Sequence, residues 1–471
     1  MRCRRFPVLP KLNEPYTDGY SQREICLQNP IKPPIVVAML DSVASFLKKH
    51  HFPLSVSERS IVDSLLSDMK VGLENPENAF QDMISTWFLP PETTPKNASV
   101  IVIDAGGTNF RSCLVHFSAD GVPCISEFRK TKMPGVECAL TKKTFFSAIA
   151  DNIAYLKDKA ERIGFCFSYP MTIMQDGDGI VRAFSKEIKA DEVVGCAVGA
   201  CLGEELTRRG WRSLKKISLL NDTVAALLAG AADIPCGVRY SSYVGFILGT
   251  GLNAAYIQPA GTFGKKSMQR QIVVCESGKA GGFMRSGFDC ALDETLQHPG
   301  AYQLEKCCSG AYLGPLALVV LKAACADKLI SADTAPFLAS LAQLTLVELD
   351  RFLHAPYKAA TDEGASVLHS CIQNEKDVEI IYELLDALID RSAWYAANIL
   401  TACVVQSGEG RCASSPVCVL CNGTTFFKTH HLRERAEGYL EALLTQERGL
   451  YYEIVSKTDD ITVGTAIAAF V

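Results

Sequence analysis

The chain has 471 residues, of which 48% are hydrophobic and 21% are charged, and its formal net charge is -5. This length predicts two or three domains, and the composition is typical of a folded globular protein rather than of a disordered chain. A small scaffold held together by disulfides or zinc is excluded, because each domain is long enough to bury its own core. Without a basic excess, nucleic acid and acidic membrane surfaces are unfavoured as partners.

The chain contains nineteen cysteines, which are scattered from Cys3 to Cys421. An odd number without regular clustering favours a reducing compartment, and we expect the cytoplasm. The Cys-x-x-Cys motif from Cys418 to Cys421 has no second pair downstream, and a structural zinc site needs four ligands. A pair of buried strand cysteines is therefore favoured over a metal or redox site.

The N-terminal segment is rich in proline and shows little periodicity, which predicts a surface extension over residues 1–34. Its basic start is followed by no apolar stretch long enough for a secretory signal. The most apolar run elsewhere, Leu313 to Val320, is too short for a membrane span. The sequence therefore predicts neither export nor a membrane-spanning segment.

Two amphipathic helices are predicted near the start, because apolar residues recur every three or four positions from Val37 to Leu47 and from Ile61 to Met69. The almost continuous apolar run from Ser99 to Asp104 then predicts a buried strand. A glycine turn at residues 105–109 and alternating apolar residues from Phe110 to Phe117 predict a returning strand.

A second strand, glycine turn and strand follow in the middle of the chain, at Tyr243–Leu248, Gly249–Gly251 and Leu252–Ile257. This repetition suggests two related lobes. Between the two units, strands are predicted at residues 163–169 and 217–220. A helix is predicted to begin at Asn221-Asp222-Thr223, which are capping residues, and to end near Gly230.

The remaining chain is predicted to be mainly helical from Pro315 to Thr401. A strand at Val417–Cys421 and a final helix at Ile461–Val471 complete the pattern. Strands that alternate with helices indicate an α/β architecture.

The two glycine turns are candidate phosphate sites, because a strand that ends in glycines presents backbone N–H groups to an anion. Thr108 could donate its hydroxyl hydrogen to phosphate, and Asp104 could hold Mg²⁺ through water. Gly249-Thr250-Gly251 is a second turn of this kind. An ordinary glycine hairpin is the alternative for each turn taken alone.

Asn221 and Asp222 have two interpretations. A simple helix N-cap explains both residues. A carboxylate here is also a natural proton acceptor if a sugar hydroxyl attacks phosphorus. Burial under a closing lobe would raise the pKa of Asp222, whereas the helix N-terminus would oppose that change.

Five motifs resemble, in order and spacing, those of the eukaryotic-type hexokinase family. They are Ile103–Arg111 (IDAGGTNFR), Phe167–Pro170 (FSYP), Leu220–Thr223 (LNDT), Gly249–Asn253 (GTGLN) and Gly300–Gly314 (GAYQLEKCCSGAYLG). Weaker resemblances lie at residues 144–154, in the helix around Arg391 and at Asn422–Thr424. The resemblance covers roughly residues 60–471 and corresponds to a single hexokinase unit rather than to the duplicated form.

The resemblance implies an α/β, two-lobed actin-like (ribonuclease H-like) kinase fold with a cleft between a small and a large domain. We expect the small domain at residues 98–220 and 461–471, and the large domain at residues 35–97 and 221–460. A hexose would bind between the lobes, whose closure would exclude water from the γ-phosphate.

The resemblance also implies roles for individual residues. Asp222 matches the general base for the sugar 6-hydroxyl, and Lys186 is expected beside it as a second catalytic residue. The residues expected to contact the sugar are Ser168, Ser185, Lys186, Asn221, Asp222, Asn253, Glu276 and Glu305. ATP and Mg²⁺ are the implied cofactors, with Asp104 holding the metal through water. Their expected binding residues are Asp104, Gly106, Gly107, Thr108, Asn109, Arg111, Gly249, Thr250, Gly251, Gly423, Thr424 and Gly464.

The sequence departs from the family pattern at several positions. Ser185 stands where the family usually has Thr, Ser277 follows Glu276 where Trp is usual, and Asn422 replaces the Asp of an Asp-Gly-Thr motif. The glycine-rich turn that opens the last helix reads Asp460-Ile-Thr-Val-Gly464, and its β-branched residues cannot adopt positive φ as glycine can. The sugar site is therefore better preserved than the nucleotide site.

The favoured function is an ATP:hexose phosphotransferase that makes a hexose 6-phosphate. Glucose is the first substrate to test, and mannose and fructose are further candidates. The alternative is a weakly active or inactive relative that binds hexose as a sensor or regulator. An actin-like or chaperone-like ATPase shares the fold but would not need Asn253, Glu276 and Glu305. The oligomeric state is not decided by the sequence.

Overall fold

The computed structural model describes residues 39–55, 60–184, 188–232 and 237–471. The N-terminal extension expected over residues 1–34 lies outside these described residues. Strands β1 to β15 of the described chain are Ile84–Ser85, Ala98–Gly106, Asn109–Phe117, Pro123–Lys132, Arg162–Phe167, Met171–Ile173, Gly179–Val181, Lys216–Leu220, Ser242–Leu248, Leu252–Gln258, Gly261–Phe263, Lys266–Met268, Gln271–Val274, Val417–Asn422 and Tyr452–Val455.

Helices α1 to α15 of the described chain are Asp41–Lys49, Val62–Glu74, Lys142–Asn152, Val198–Arg208, Asp222–Ala232, Gly287–Thr295, Gln303–Cys308, Gly310–Ala326, Ala335–Ser340, Leu346–His354, Val367–Cys371, Glu375–Ser407, Thr424–Lys428, Leu432–Leu440 and Asp460–Ala468. Short 3-10 helices lie at Pro76–Asn78, Ala154–Leu156, Asp191–Val193 and Ser277–Lys279, and a π-helix lies at Glu441–Gln446. The predicted helical region after residue 315 is confirmed.

The first sheet has five strands in the order β4-β3-β2-β5-β8. Its centre is β2, whose apolar residues from Val100 to Ile103 are buried on both faces. β2 and β3 form an antiparallel hairpin in which Asp104 lies opposite Arg111, whereas β5 and β8 run parallel to β2. The predicted hairpin around the first glycine turn is therefore confirmed.

The second sheet has six strands in the order β1-β13-β10-β9-β14-β15. β9 and β10 form the predicted second hairpin, while β14 runs parallel to β9 and β15. Cys418 and Cys421 are buried in β14, which confirms the prediction of buried strand cysteines. In the described ranges, no three or more His, Cys, Asp or Glu side chains are grouped to hold a metal.

Helices α5 and α15 pack between the two sheets. α5 contacts β9 and β14 of the six-stranded sheet, α15 contacts β2 and β5 of the five-stranded sheet, and the two helices pack against each other. The layers approach closely because glycines face backbone carbonyl groups at each interface. These contacts join Gly164 to Thr465, Gly464 to Ala225 and Gly245 to Thr223.

The long helix α12 runs through the core beside the six-stranded sheet, and most of its residues are buried. Within it, Arg391 forms a buried ion pair with Asp289, whose oxygens lie 2.7 and 2.8 Å from the guanidinium nitrogens. A buried charge needs such a partner because it has lost its hydration. Among the described helices, none is both long and apolar enough to cross a membrane.

Candidate active site

The first glycine turn joins β2 to β3 and exposes Gly107 and Thr108 to solvent. Two contacts from the segment after β5 hold the turn: the backbone N–H of Ser168 donates to the Ala105 carbonyl at 3.0 Å, and the Tyr169 hydroxyl donates to the Gly107 carbonyl at 2.9 Å. Gly107 has φ of +55°, a conformation that glycine adopts without steric cost. The turn is therefore rigidly placed while its outer face stays open.

Asp104 lies at the base of this turn and forms an ion pair with Arg111 across the hairpin. Nη1 of Arg111 is 2.6 Å from Oδ2 of Asp104. The Asp104 side chain is only 15% exposed, so the guanidinium balances a carboxylate that has lost part of its hydration. One carboxylate beside open phosphate-binding groups suits Mg²⁺, which keeps several waters and takes other ligands from substrate phosphates.

Asp222 is the first residue of α5, the helix that packs between the two sheets. The side-chain oxygen of Asn221 accepts hydrogen bonds from the Thr223 N–H at 2.8 Å and the Thr223 hydroxyl at 2.6 Å. Asn221 therefore caps the N-terminus of α5, as one of its two interpretations predicts. The Asp222 carboxylate also accepts from the Thr223 N–H, at 2.8 Å, and receives a hydrogen bond from Ser168.

Burial raises the pKa of Asp222 to about 7, and the negative charges of Asp104 and Glu276 act in the same direction. The hydrogen bonds from Thr223 and Ser168 oppose this rise. The sequence analysis left the balance between burial and the helix N-terminus open, and in the folded chain burial is the larger influence on this pKa. A carboxylate with a pKa near neutral can accept a proton and release it again.

The second glycine turn, at residues 249–251, is held by hydrogen bonds from two helices. The Gly249 carbonyl accepts hydrogen bonds from the Gly310 N–H at 2.8 Å and from the Thr425 hydroxyl at 2.9 Å. The Thr250 carbonyl accepts from the Ala311 N–H at 3.1 Å. The start of α8 and helix α13 thus fix the turn, and the Thr250 residue stays exposed.

Three polar residues expected to contact a sugar lie together beside this second turn. Nδ2 of Asn253 donates to Oε1 of Glu276 at 2.9 Å, and Oδ1 of Asn253 accepts from the Ala254 N–H at 2.8 Å. Oε2 of Glu305 accepts from the Leu252 N–H at 2.9 Å. The sequence motifs that contain these residues are far apart, and the fold brings them to one side of the cleft.

The two glutamates are held in unusual environments. Burial raises the pKa of Glu305 to about 7 and also raises the pKa of Glu276, although the charge of Lys279 opposes the change at Glu276. Glu276 has φ of +57°, which is uncommon for a residue with a side chain and is frequent at functional sites. Such carboxyls are suited to accept hydrogen bonds from hydroxyl groups.

Electrostatic interactions connect the predicted residues across the cleft. Asp104 and Glu276 both raise the pKa of Asp222, and Glu276 also raises the pKa of Glu305. The structure therefore brings the first turn, the start of α5 and the predicted sugar-contacting glutamates into one site. Ser185 and Lys186, which the sequence analysis also assigned to this site, lie outside the described residues.

The predicted nucleotide turn Gly423–Thr424 follows β14 and lies against the second glycine turn. Gly423 has φ of +117°, and a Cβ there would lie 2.1 Å from the Leu248 carbonyl oxygen, so only glycine fits. The preceding residue, Asn422, donates from Nδ2 to both carboxylate oxygens of Asp460, at 2.7 and 2.8 Å.

Gly464 stays a prediction for the nucleotide site, and the structure shows a packing contact for it. Residues 460–464 lie in the first turns of α15 and do not form a separate glycine turn. Gly464 is buried, and its Cα faces the backbone of Ala225 on α5. Close helix packing therefore accounts for this glycine without any ligand.

The sequence analysis missed several residues that shape the site. Tyr169 lies within the FSYP motif, so the motif itself could have suggested its contact with the glycine turn. Thr425, which binds the second turn, and Asp460, which binds Asn422, could not be recognised, because their partners are distant in sequence.

Two family models, both described as Hexokinase, match this chain at residues 43–232 and 243–471. Together they span both sheets and every described residue of the site. The chain belongs to the hexokinase family. Family membership supports sugar phosphorylation in general as the activity of this hexokinase relative.

Curated relatives agree with this assignment. The hexokinase of Schistosoma mansoni is 26% identical over 393 residues, which cover 78% of this chain and 84% of the relative. Hexokinase-1 of Spinacia oleracea is 24% identical over 444 residues, which cover 87% of this chain and 86% of the relative. Hexokinase-1 of Schizosaccharomyces pombe is 29% identical over 274 residues, 54% of this chain and 55% of the relative, so this match spans about half of that relative's length.

Solved structures show the same fold. The hexokinase from Schistosoma mansoni complexed with glucose has a TM-score of 0.74 at 23% identity, and the match covers 91% of this chain and 99% of that chain. A second crystal structure of a hexokinase has a TM-score of 0.74 at 21% identity and covers 92% of this chain and 100% of that chain. The predicted α/β, two-lobed actin-like fold is thereby confirmed.

Proposed function

We propose that this chain transfers the γ-phosphoryl group of ATP to the 6-hydroxyl of a hexose, with Asp222 as the general base. The observation that carries this proposal is that buried Asp222, with a pKa near 7, lies within electrostatic reach of both Asp104 of the first turn and Glu276 beside Asn253. A base here faces the predicted phosphate site on one side and the predicted sugar site on the other. Glucose is the first substrate to test, and mannose and fructose follow.

The sugar would be bound by side chains that surround Asp222. Asn253, Glu276 and Glu305 would form hydrogen bonds with the sugar hydroxyls. Ser168, which directly follows β5, and Asn221, which directly precedes α5, would also contact the sugar. Lys186 and Ser185 stay predictions for the same site. Buried carboxylates and amides that converge in a cleft are suited to a polyhydroxyl ligand.

The phosphates of ATP would lie between the two glycine turns. Backbone N–H groups at Gly106, Gly107, Gly249 and Gly251, with the hydroxyls of Thr108 and Thr250, are suited to oxygen anions. Asn109 and Arg111 belong to the same hairpin, and Gly423 and Thr424 would contact the adenosine side. Asp104 would hold Mg²⁺ through water, and the metal when bound would neutralise charge on the phosphates.

In the proposed reaction, Asp222 accepts the proton of the sugar hydroxyl as its oxygen attacks the γ-phosphorus. The hydrogen bond from Ser168 orients the carboxylate. We further propose that the small domain, residues 98–220 and 461–471, closes on the large domain, residues 35–97 and 221–460. Closure would remove water that competes with the sugar.

The alternative function, a hexose-binding sensor without turnover, is favoured by one feature. The nucleotide side departs from the family pattern at Asn422 and in residues 460–464, whereas the sugar side keeps Asn253, Glu276 and Glu305.

The described cysteines are free thiols. This supports our proposal of a reducing, cytoplasmic compartment.

A coupled assay for hexose 6-phosphate, run with Mg-ATP and each sugar, tests the proposed reaction. Asp222→Ala should lower kcat by about 10²- to 10⁴-fold while sugar binding persists, because only the proton acceptor is lost. Unchanged turnover in this variant would contradict the role of Asp222. If the unaltered chain forms no product while glucose still raises its Tm, the sensor function is supported instead.

A further inference from the structure

Asn422 and Asp460 form a polar contact at the junction of β14 and α15. Nδ2 of Asn422 lies 2.7 and 2.8 Å from the two oxygens of the Asp460 carboxylate, and Oδ1 of Asp460 accepts from the Ile461 N–H at 2.7 Å. Asp460 is only 4% exposed. The carboxylate is therefore largely removed from water and depends on these donors.

This contact joins a strand of the six-stranded sheet to a helix that packs on the five-stranded sheet. Asn422 directly precedes the turn Gly423–Thr424, which the proposed function assigns to the nucleotide, and it belongs to the six-stranded sheet. Asp460 begins α15, which packs against β2 and β5 of the five-stranded sheet. The pair is thus a direct link between the nucleotide turn and the helix that lies on the other sheet.

The hydrogen bonds of this pair require an amide at one position and a carboxylate at the other. An Asp at both positions would bring two carboxylates within hydrogen-bond distance, which is strongly unfavourable. The Asn422 amide therefore stabilises the Asp460 carboxylate, and a substitution of either residue removes the hydrogen bonds of the other.

We propose that Asn422 and Asp460 are a positioning pair for the phosphoryl donor, a nucleoside triphosphate. The Asp460 carboxylate holds the Asn422 amide, which fixes the turn Gly423–Thr424 relative to α15 and so sets the affinity for the nucleotide. This inference rests on the proposed function, because it assigns that turn to ATP. Neither residue is a catalytic residue, since the pair acts through the turn.

A charge exchange between the two positions tests the pair. Asn422→Asp places two carboxylates together and should weaken binding of a Mg²⁺-bound, non-hydrolysable ATP analogue by about tenfold or more. The double variant Asn422→Asp with Asp460→Asn restores an amide and a carboxylate in reversed positions, and its affinity should return to within about threefold of the unaltered chain. Calorimetry measures both affinities without requiring turnover.

Two further readouts separate positioning from a general effect on folding. In Asn422→Asp, KM for Mg-ATP should rise while the dissociation constant for glucose stays near that of the unaltered chain. The Tm should fall, because two carboxylates then lie within hydrogen-bond distance, so both ligands are measured well below the Tm of the variant. Asp459→Asn is the matched control for the Asp460→Asn change in the double variant, because it removes the same charge from the exposed neighbour of Asp460 and should leave nucleotide binding unchanged.

The outcomes distinguish this inference from the proposed function. Equal nucleotide affinity in the single and double variants, or an equal loss of glucose affinity in Asn422→Asp, would overturn the positioning role. Normal pair-dependent nucleotide binding in a chain that phosphorylates no sugar would overturn the proposed reaction alone. Failure of the unaltered chain to bind the analogue would overturn both.

Discussion

Gly464 of α15 lies directly against Ala225 of α5, so that a Cβ on Gly464 would be 1.8 Å from the Ala225 carbonyl oxygen. Similar close contacts join α15 to β5 at Gly164 and α5 to β9 at Gly245. The two sheets and the two helices between them are therefore packed so closely at these points that a side chain larger than that of glycine does not fit.

Substitution of Gly464 by Ala should destabilise the protein. The added methyl group meets backbone atoms of α5, which cannot rotate away, so the two helices must separate. We expect a loss of about 1–3 kcal/mol in the free energy of unfolding, measured by denaturant titration. Gly438→Ala in α14 is the control, because a Cβ there meets no heavy atom within 4 Å and alanine favours a helix. Equal stability of the two variants would contradict the packing argument.

Both hairpins and most helices could be predicted from the sequence, because their signals are local. The apolar run before residue 105 and the glycines after it lie within a few positions of each other, and so do the residues around Gly249. The role of Gly464 could not be predicted in this way, because its neighbour Ala225 lies on another helix. A glycine in a sequence does not reveal whether a ligand or a packed backbone requires it.

In the candidate site, too, the sequence could predict the residues but not the contacts between distant segments. The resemblance supplied Ser168, Asp222 and Glu276 as candidates, yet their mutual influence depends on how the sheets are arranged. The elevated pKa of Asp222 arises from burial and from Asp104 and Glu276, which belong to distant segments. Only the folded chain determines such a value.

Glu276→Ala should weaken sugar binding. The change removes a carboxylate that hydrogen-bonds Asn253 at 2.9 Å and is proposed to bind a sugar hydroxyl. Loss of a hydrogen bond to a charged group, about 1.5–3 kcal/mol, corresponds to about a 10- to 150-fold higher dissociation constant for glucose. Calorimetry with glucose measures this change, and binding of the ATP analogue should be unaltered.

Asp82→Asn is a matched control for Glu276→Ala. Asp82 forms an ion pair with Lys279 at 2.6 Å near Glu276, but its side chain is 37% exposed. Its removal should change glucose affinity by less than about threefold, since exposed ion pairs contribute little. Normal glucose affinity in Glu276→Ala would show that the Glu276 motif was assigned wrongly.

Asp222→Asn should stabilise the fold at alkaline pH. The pKa of Asp222 is about 7 in the folded chain and about 3.8 in the unfolded chain, so the folded state binds the proton more tightly. The stability from the neutral carboxyl is therefore present at low pH and is lost as pH rises through about 7. The full pKa difference corresponds to about 4 kcal/mol, but Asp222 keeps part of its surface exposed, so we expect Asp222→Asn to be more stable by about 2 kcal/mol at pH 8.

Thermal unfolding of Asp222→Asn and the unaltered chain, compared from pH 4 to pH 8, measures this effect. The difference in Tm should shrink toward pH 4, where the carboxyl is neutral in the folded chain and only about half ionised in the unfolded one. A constant difference across this range would mean that the titration of Asp222 does not cause it.

The rate of sugar phosphorylation should follow the ionisation of Asp222. A general base acts only when it is deprotonated, so kcat/KM for glucose should rise about tenfold per pH unit below pH 7 and level off above it. Burial also raises the pKa of Glu305 to about 7, so two carboxyl groups titrate in the same range. Glu305→Gln removes one of them and should keep the rise near pH 7 with weaker glucose binding. If the rise disappears in Glu305→Gln, or lies near pH 4 in the unaltered chain, Asp222 is not the group that limits the reaction.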